Sequence, residues 1–314
     1  MTRAEKSPEW YFCRDGSPRG YIDIQRMREL WFHTGTACNL ACPFCLEGSK
    51  PGDKRLDLIS FDDARPFIEE AVALGVERFS FTGGEPFVAR QLVRILAYAL
   101  NFRPCMVLSN GTAPLLCRLP QLEPLVGAAH PLYFRISLDY PDPARHEAGR
   151  GAGTFSQALQ SMERLIAAGF DVSVARLREA DEDTGAVEAA YRSLFRRHGL
   201  PPDLKVVSFP DFATPGSDVQ TPEISERRMT TYHTGESRAQ FMCSFSRMVV
   251  KREGSMRVYA CTLVDDDRDY DLGASLRQSL AQRVRLRHHR CYSCFRLGAS
   301  CSELVRKDNA VVAQ

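Results

Sequence analysis

From about residue 30 to residue 210, short apolar and β-branched runs alternate with stretches of helical periodicity, the rhythm of repeated β/α units around a parallel sheet. The alternation predicts strands at 30–33, 77–81, 105–109, 132–137, 171–175 and 205–209. It predicts helices at 62–74, 91–100 and 155–168, the last capped by Thr154. Each polar cluster follows a strand, which fits an α/β fold built as a partial (β/α)6 barrel of the TIM type, with chemistry at the C-terminal ends of the strands. A doubly wound open sheet gives the same pattern, because periodicity does not reveal closure. After residue 211 the pattern changes. Residues 212–238 are rich in Pro, Gly, Thr and Ser, as in a boundary or a loop over the active face, and 248–251 and 256–259 flank Gly254 like the arms of a hairpin. The expected units are an extension at 1–27, the barrel at 28–211, a linker at 212–240, a small cysteine-rich domain at 241–305 and a tail at 306–314.

Composition narrows the classes. The chain has 314 residues, 44% of them hydrophobic, and a net charge of +2 with acids and bases interspersed, which argues against a nucleic-acid binder. The densest basic run, 283–290, reads as a solvated helix face running into a loop, with an anionic substrate or partner site as the alternative. No segment approaches about 18 consecutive apolar residues, so no membrane span and a cytoplasmic location are expected. In that compartment the eleven cysteines are expected to bind metal or serve catalysis rather than to pair.

Seven of the eleven form two groups. Cys38, Cys42 and Cys45 lie in one short loop, and three soft thiolates in a loop with no fourth ligand suggest a metal cluster with one open corner. The spacing C-x3-C-x2-C, with Phe44 before the third cysteine, resembles the signature of the radical S-adenosylmethionine (SAM) superfamily. Thr82-Gly83-Gly84-Glu85-Pro86, directly after the second strand, would alone be turn chemistry; behind the three-cysteine loop it is similar to the family's GGEP motif. The resemblance implies a 4Fe-4S cluster on Cys38, Cys42 and Cys45, with SAM on its fourth iron and the SAM ammonium received by Gly83, Gly84, Glu85 and Pro86. It further implies SAM contacts from Ser109 and Asn110 after the third strand and from Ser137 and Asp139 after the fourth. In His146-Glu147-Ala148-Gly149-Arg150, Arg150 would pair with the SAM carboxylate, with Arg145 as a rival because the spacing is one residue longer than in the relatives. An external electron donor of flavodoxin or ferredoxin type would supply the reducing electron.

Cys243, Cys261, Cys291 and Cys294 form the second group, two at the ends of the hairpin and two in a C-x2-C knuckle. A structural zinc ribbon is one reading. The layout also resembles the twitch form of the SPASM domain, which implies a second, auxiliary 4Fe-4S cluster. Cys301 has no place in a four-cysteine site and is a buried thiol or a hydrogen-atom donor to a substrate radical; Cys13, Cys105 and Cys117 read as structural. The resulting expectation is oxidation or epimerisation at a carbinol carbon of a small polar metabolite. A peptide-modifying maturase is the alternative, and a non-catalytic zinc-binding interaction protein is the reading from another class. Asp139, Tyr140, Asp211 and His233 stand at or after strand ends as candidate bases, and the sequence does not choose among them.

Overall fold

The computed structural model describes residues 6–179, 181–210, 212–298 and 302. Six strands run parallel: β1 (Glu29–His33), β2 (Arg78–Thr82), β3 (Cys105–Ser109), β4 (Leu132–Ser137), β5 (Asp171–Leu177) and β6 (Val206–Phe209). They neighbour one another in chain order, so every crossover steps to the adjacent strand, as a barrel requires and a doubly wound sheet does not. Alternation sorts their side chains. Leu30, Phe32, Phe79, Phe81, Val107, Phe134, Ile136 and Val174 pack outward under the helices, whereas Trp31, Met106, Val207 and Phe209 belong to a second cluster inside the curved sheet.

The helices α1 (Phe61–Ala73), α2 (Leu92–Ala99), α3 (Pro143–Arg150), α4 (Thr154–Ala168) and α5 (Thr184–Arg197) cover the outer face. Helix α1 starts in a reciprocal capping box of Ser60 and Asp63. Thr154 is not the cap of α4: Gly153, in the left-handed region at φ +77°, precedes the helix, and Thr154 is its first residue, its hydroxyl donating to the Gly151 carbonyl. A chain that turns this sharply between α3 and α4 needs the glycine more than it needs a capping hydroxyl.

The C-terminal hairpin continues the barrel sheet. Strand β7 (Ser246–Arg252) pairs in parallel with β1, from Glu29 opposite Ser246 to Phe32 opposite Val249, and β8 (Ser255–Tyr259) returns antiparallel to it. Glu253 and Gly254 both have positive φ, the two-residue turn that matches strand twist. The last described helix, α6 (His289–Leu297), carries Cys291 and Cys294. The short helix at 276–280 is tied to α1 by Glu70, whose carboxylate accepts from Ser275 Oγ and from the Leu276 and Arg277 amides. No described helix is long and apolar enough to cross a membrane.

Candidate active site

One cavity opens at the C-terminal ends of the parallel strands. It is lined by Cys38, Cys42 and Cys45 from the loop after β1, Gly83 and Gly84 after β2, Ser109 and Asn110 after β3, Ser137 and Asp139 after β4, and Arg150 from α3. Thr262 and Leu263, just beyond the hairpin, close the side opposite Phe209 of β6, so the two ends of the sheet curve around one space. Below and around the polar rim Trp31, Leu40, Leu46, Leu108, Leu177 and Phe209 form an apolar wall, interrupted by Glu47 and Arg176.

The Gly83-Gly84 turn has a steric cause. A Cβ on Gly84 would stand 2.5 Å from the Ala37 carbonyl oxygen and 2.6 Å from that of Thr36, and one on Gly83, at φ +147°, would meet Thr34 Oγ1 at 2.6 Å. The Gly84 and Glu85 amides donate to the carbonyls of Gly35 and Ala37. The two glycines therefore let this turn lie against the stem of the three-cysteine loop, a closer approach than any side chain permits.

Glu85 and Pro86 do not line the cavity. The Glu85 carboxylate, 1% exposed, accepts from the Asn110 amide at 2.8 Å, Ser109 Oγ at 2.9 Å and the Phe87 amide at 3.1 Å, bracing the exit of β3 against that of β2. Burial pushes it up to about 7, although these donors pull the other way. Between the ordinary 4.5 and about 7 the folded chain keeps the proton that the unfolded chain has lost, so this group favours the fold below 4.5 and loses that contribution as pH rises through about 7. The metal-free wild type is expected to lose melting temperature between pH 5 and 8 by more than Glu85→Gln does, a differential of about 3 kcal/mol at most. Parallel pH profiles of the two proteins would refute this.

Asn110 links the brace to the cysteines. Its amide nitrogen donates to Asn39 Oδ1 at 3.0 Å and reaches Cys38 Sγ at 3.9 Å, and its oxygen accepts from Thr112 Oγ1 at 2.6 Å. Burial pushes the Cys38 thiol up to about 11, and Cys42 moves in the same direction for the same reason. Of Arg150 and its rival Arg145, Arg150 lines the cavity, as does Arg176. The Arg150 Nε lies 2.5 Å from Asp139 Oδ2, and its guanidinium stands over the Phe44 ring at 5.6 Å. Arg145 points away, pairing with Glu179 and stacking on Tyr140. Helix α3 presses on the cysteine loop at Gly149, where a Cβ would fall 2.3 Å from Phe44 Cε1. His146 accepts the Asp139 amide on Nδ1, and burial pulls it down to about 4, so it is a neutral prop for the Asp139 turn.

Of the candidate bases among the described residues, only Asp139 lines the cavity. Tyr140 donates to Glu179, and His233 sits between Ser237 and the Phe295 carbonyl in an aromatic cluster. Asp211 and Cys301 lie outside the described residues. Cys105 and Cys13 are buried thiols, and Cys117 is exposed.

The second cysteine group converges as well: Cys243, at the start of the hairpin, and Cys291 are buried in the inner cluster, and Cys261 and Cys294 pack against it. Tyr270 braces the group, its hydroxyl accepting from the Arg287 and His288 amides and standing 3.6 Å from Cys291 Sγ. Among the described residues no three cysteine sulfurs of either group lie within 4.8 Å of one another. Thiolates on a single tetrahedral zinc, with bonds of about 2.3 Å, would stand only about 3.8 Å apart.

Sequence reasoning missed the seam between the two groups. His33 Nε2 lies 3.0 Å from Glu47 Oε2, and Asp265 and Arg55 adjoin them. Three ligand-type atoms within 4.8 Å suggest a metal, yet His33 Nδ1 accepts the Gly35 amide. The Nε2 then carries the proton it gives to Glu47, and the ring has no lone pair left for a metal. Glu47, two residues past Cys45, is thus held to the end of β1.

Residues 32–177 match the family model described as "Radical SAM superfamily". Among curated proteins, the GTP 3′,8-cyclase of Synechococcus elongatus is 33% identical over 147 residues, covering 46% of this chain and 43% of that protein. The mycofactocin maturase MftC of Mycobacterium ulcerans is 31% identical over 134 residues, 43% of this chain and 35% of that one. The chain thus spans less than half the length of these relatives. Among solved structures, Streptococcus suis SuiB bound to S-adenosylmethionine superposes with a TM-score of 0.58 at 12% identity, covering 80% of this chain and 64% of that one. The structure of anSMEcpe with bound AdoMet gives 0.55 at 15% identity, covering 83% and 81%. These two structural likenesses speak to the fold. With the three-cysteine loop and the glycine turn inside it, the matched segment, residues 32–177, belongs to the radical SAM superfamily.

Proposed function

We propose that Cys38, Cys42 and Cys45 hold a 4Fe-4S cluster, that SAM binds across the polar rim of the cavity, and that a substrate carbon is presented from the apolar wall below. Bound there and reduced by an external electron donor, the cluster and SAM would supply a 5′-deoxyadenosyl radical for hydrogen-atom abstraction. The observation that carries the reading is one cavity shared by the three thiols, the Gly83-Gly84 turn and the Asp139–Arg150 pair. The donor set fits: three thiols converge with a fourth direction open, and the Asn110 amide and the Leu40 N–H point at Cys38 Sγ. Arg150 supplies a guanidinium for a carboxylate, oriented by Asp139 and Phe44. Trp31, Leu108, Leu177 and Phe209 exclude water from the reacting carbon.

The gathering of Cys243, Cys261, Cys291 and Cys294 in the inner cluster supports an auxiliary 4Fe-4S cluster there, in the manner of the SPASM and twitch enzymes. Oxidation or epimerisation of a small metabolite uses these parts. The apolar wall requires that such a substrate present its reacting carbon on an apolar face, and that same wall favours, as the second reading, modification of an apolar side chain in a peptide. MftC, a relative by sequence, is named a maturase.

The test is anaerobic incubation with SAM, a reductant and deuterated candidates of both kinds. Deuterium in 5′-deoxyadenosine identifies the class. Absence of any reductive SAM cleavage by iron-loaded protein would end the proposal.

A further inference from the structure

Two guanidinium groups are buried in the C-terminal part with no carboxylate hydrogen-bonded to either, although the Asp266 carboxylate senses the charge of Arg290. Arg247, fully buried on β7, donates to the carbonyls of Cys243 at 2.7 Å and Ser246 at 2.8 Å and reaches that of Ser279 at 3.5 Å, while its Nε has no partner. Arg290, 2% exposed on α6, donates to the carbonyls of Leu46, Phe212, Ala213 and Leu263. Each acceptor they reach is a backbone oxygen, and among the described residues no carboxylate pairs with either. A buried cation without a counter-charge costs several kcal/mol, and backbone dipoles repay only part of that.

The positions of the two arginines identify the missing anion. Arg247 follows Cys243 by four residues and donates to its carbonyl. Arg290 immediately precedes Cys291, and through Leu46 and Leu263 it holds the residue after Cys45 and the second residue after Cys261. As thiols these cysteines are neutral. As thiolates on a metal they are the anion that Arg247 lacks.

We infer that Arg247 is the counter-charge of the four-cysteine centre and holds its reduction potential up, while Arg290, its charge shared with Asp266, ties that centre to the Cys38–Cys45 loop. This rests on the reading of the C-terminal site as an iron-sulfur cluster. A fixed positive charge near a cluster stabilises its reduced, more negative form, and the effect is large where no water screens it.

The experiment is a redox titration of the reconstituted full-length chain, followed by electron paramagnetic resonance, with iron and sulfide counted in every sample. A wild type that holds only one cluster removes the cluster reading, and the inference with it. With two clusters present, Arg247→Gln is expected to move the potential of the C-terminal centre negative, Arg247→Lys to return it most of the way, and Arg290→Gln, whose charge Asp266 shares, to move it less. Equal potentials in wild type and in the glutamine variants at equal iron would overturn the inference alone. Thermal melts cover the case in which a variant loads poorly: a counter-charge role predicts a larger loss in loaded than in metal-free protein. Equal losses in both forms mark a purely structural role and also overturn the inference.

Discussion

Cys42→Ala is expected to yield a folded chain that makes no 5′-deoxyadenosine above background under reducing conditions, and whose iron content falls by about four atoms per chain. The loop bearing the three cysteines has no strand or helix of its own; it hangs between β1 and backbone contacts such as Cys38 N to the Lys50 carbonyl and Cys45 N to the Cys42 carbonyl. Loss of one thiol therefore removes a metal ligand while β1, β2 and the core beneath them keep their packing. Circular dichroism and the melting temperature of the metal-free chain should match the wild type, and the C-terminal centre should keep its iron. Undiminished 5′-deoxyadenosine production would sink the assignment of this loop, and loss of iron from both sites would show that the two fill as one unit.

Gly84→Ala is expected to act by a different route, through the fold of the stem. Its Cβ would collide with two carbonyl oxygens, at 2.5 and 2.6 Å, and these belong to backbone already bonded to the turn, so neither can move aside cheaply. Overpacking of this kind costs about 1–3 kcal/mol, which for a domain of this size lowers the melting temperature by roughly 2–10 °C. The Cys38 stem must shift with it, so the metal-free protein is less stable and the loaded one retains less iron. Gly127→Ala, where a Cβ meets nothing within 4 Å, is the matched control and should be silent. An unchanged melting temperature in Gly84→Ala would mean that the turn has slack the structure does not show.

Much of the architecture was legible because burial on both faces writes strands as short apolar runs. Cys105–Ser109 and Leu132–Ser137 fall on their predicted residues, and the other four strands shift by one or two. The three-cysteine loop and the glycine pair were legible as spacing. Their geometry was not: the glycines line the cavity as a backbone approach to a ligand would need, and they also accommodate the Thr36 and Ala37 carbonyls. Glu85 carried no sign that its partners would be Ser109 and Asn110, because side-chain bonds between consecutive strand ends depend on register, which a single sequence does not state. Arg150 and Arg145 are five residues apart, and only the path of α3 decides which enters the cavity. His33, Glu47 and Asp265 are separated by up to 232 residues, 265 less 33, and no local pattern links them. The buried arginines were hidden for a further reason. In sequence Arg247 and Arg290 look like any basic residue on a surface, and only their burial in three dimensions sets them apart.

The parallel pairing of β1 with β7 has a consequence for how the chain is made. Glu29 emerges early in synthesis and Ser246 some two hundred residues later, so at the usual rate of about 5–20 residues per second one side of β1 waits on the order of ten to forty seconds for its neighbour. During that interval a strand of the sequence Glu-Leu-Trp-Phe-His presents an open edge. Slow synthesis or rare codons between β6 and β7 should therefore divert nascent chains into aggregates, and a chaperone that shields exposed strand edges should raise the soluble yield.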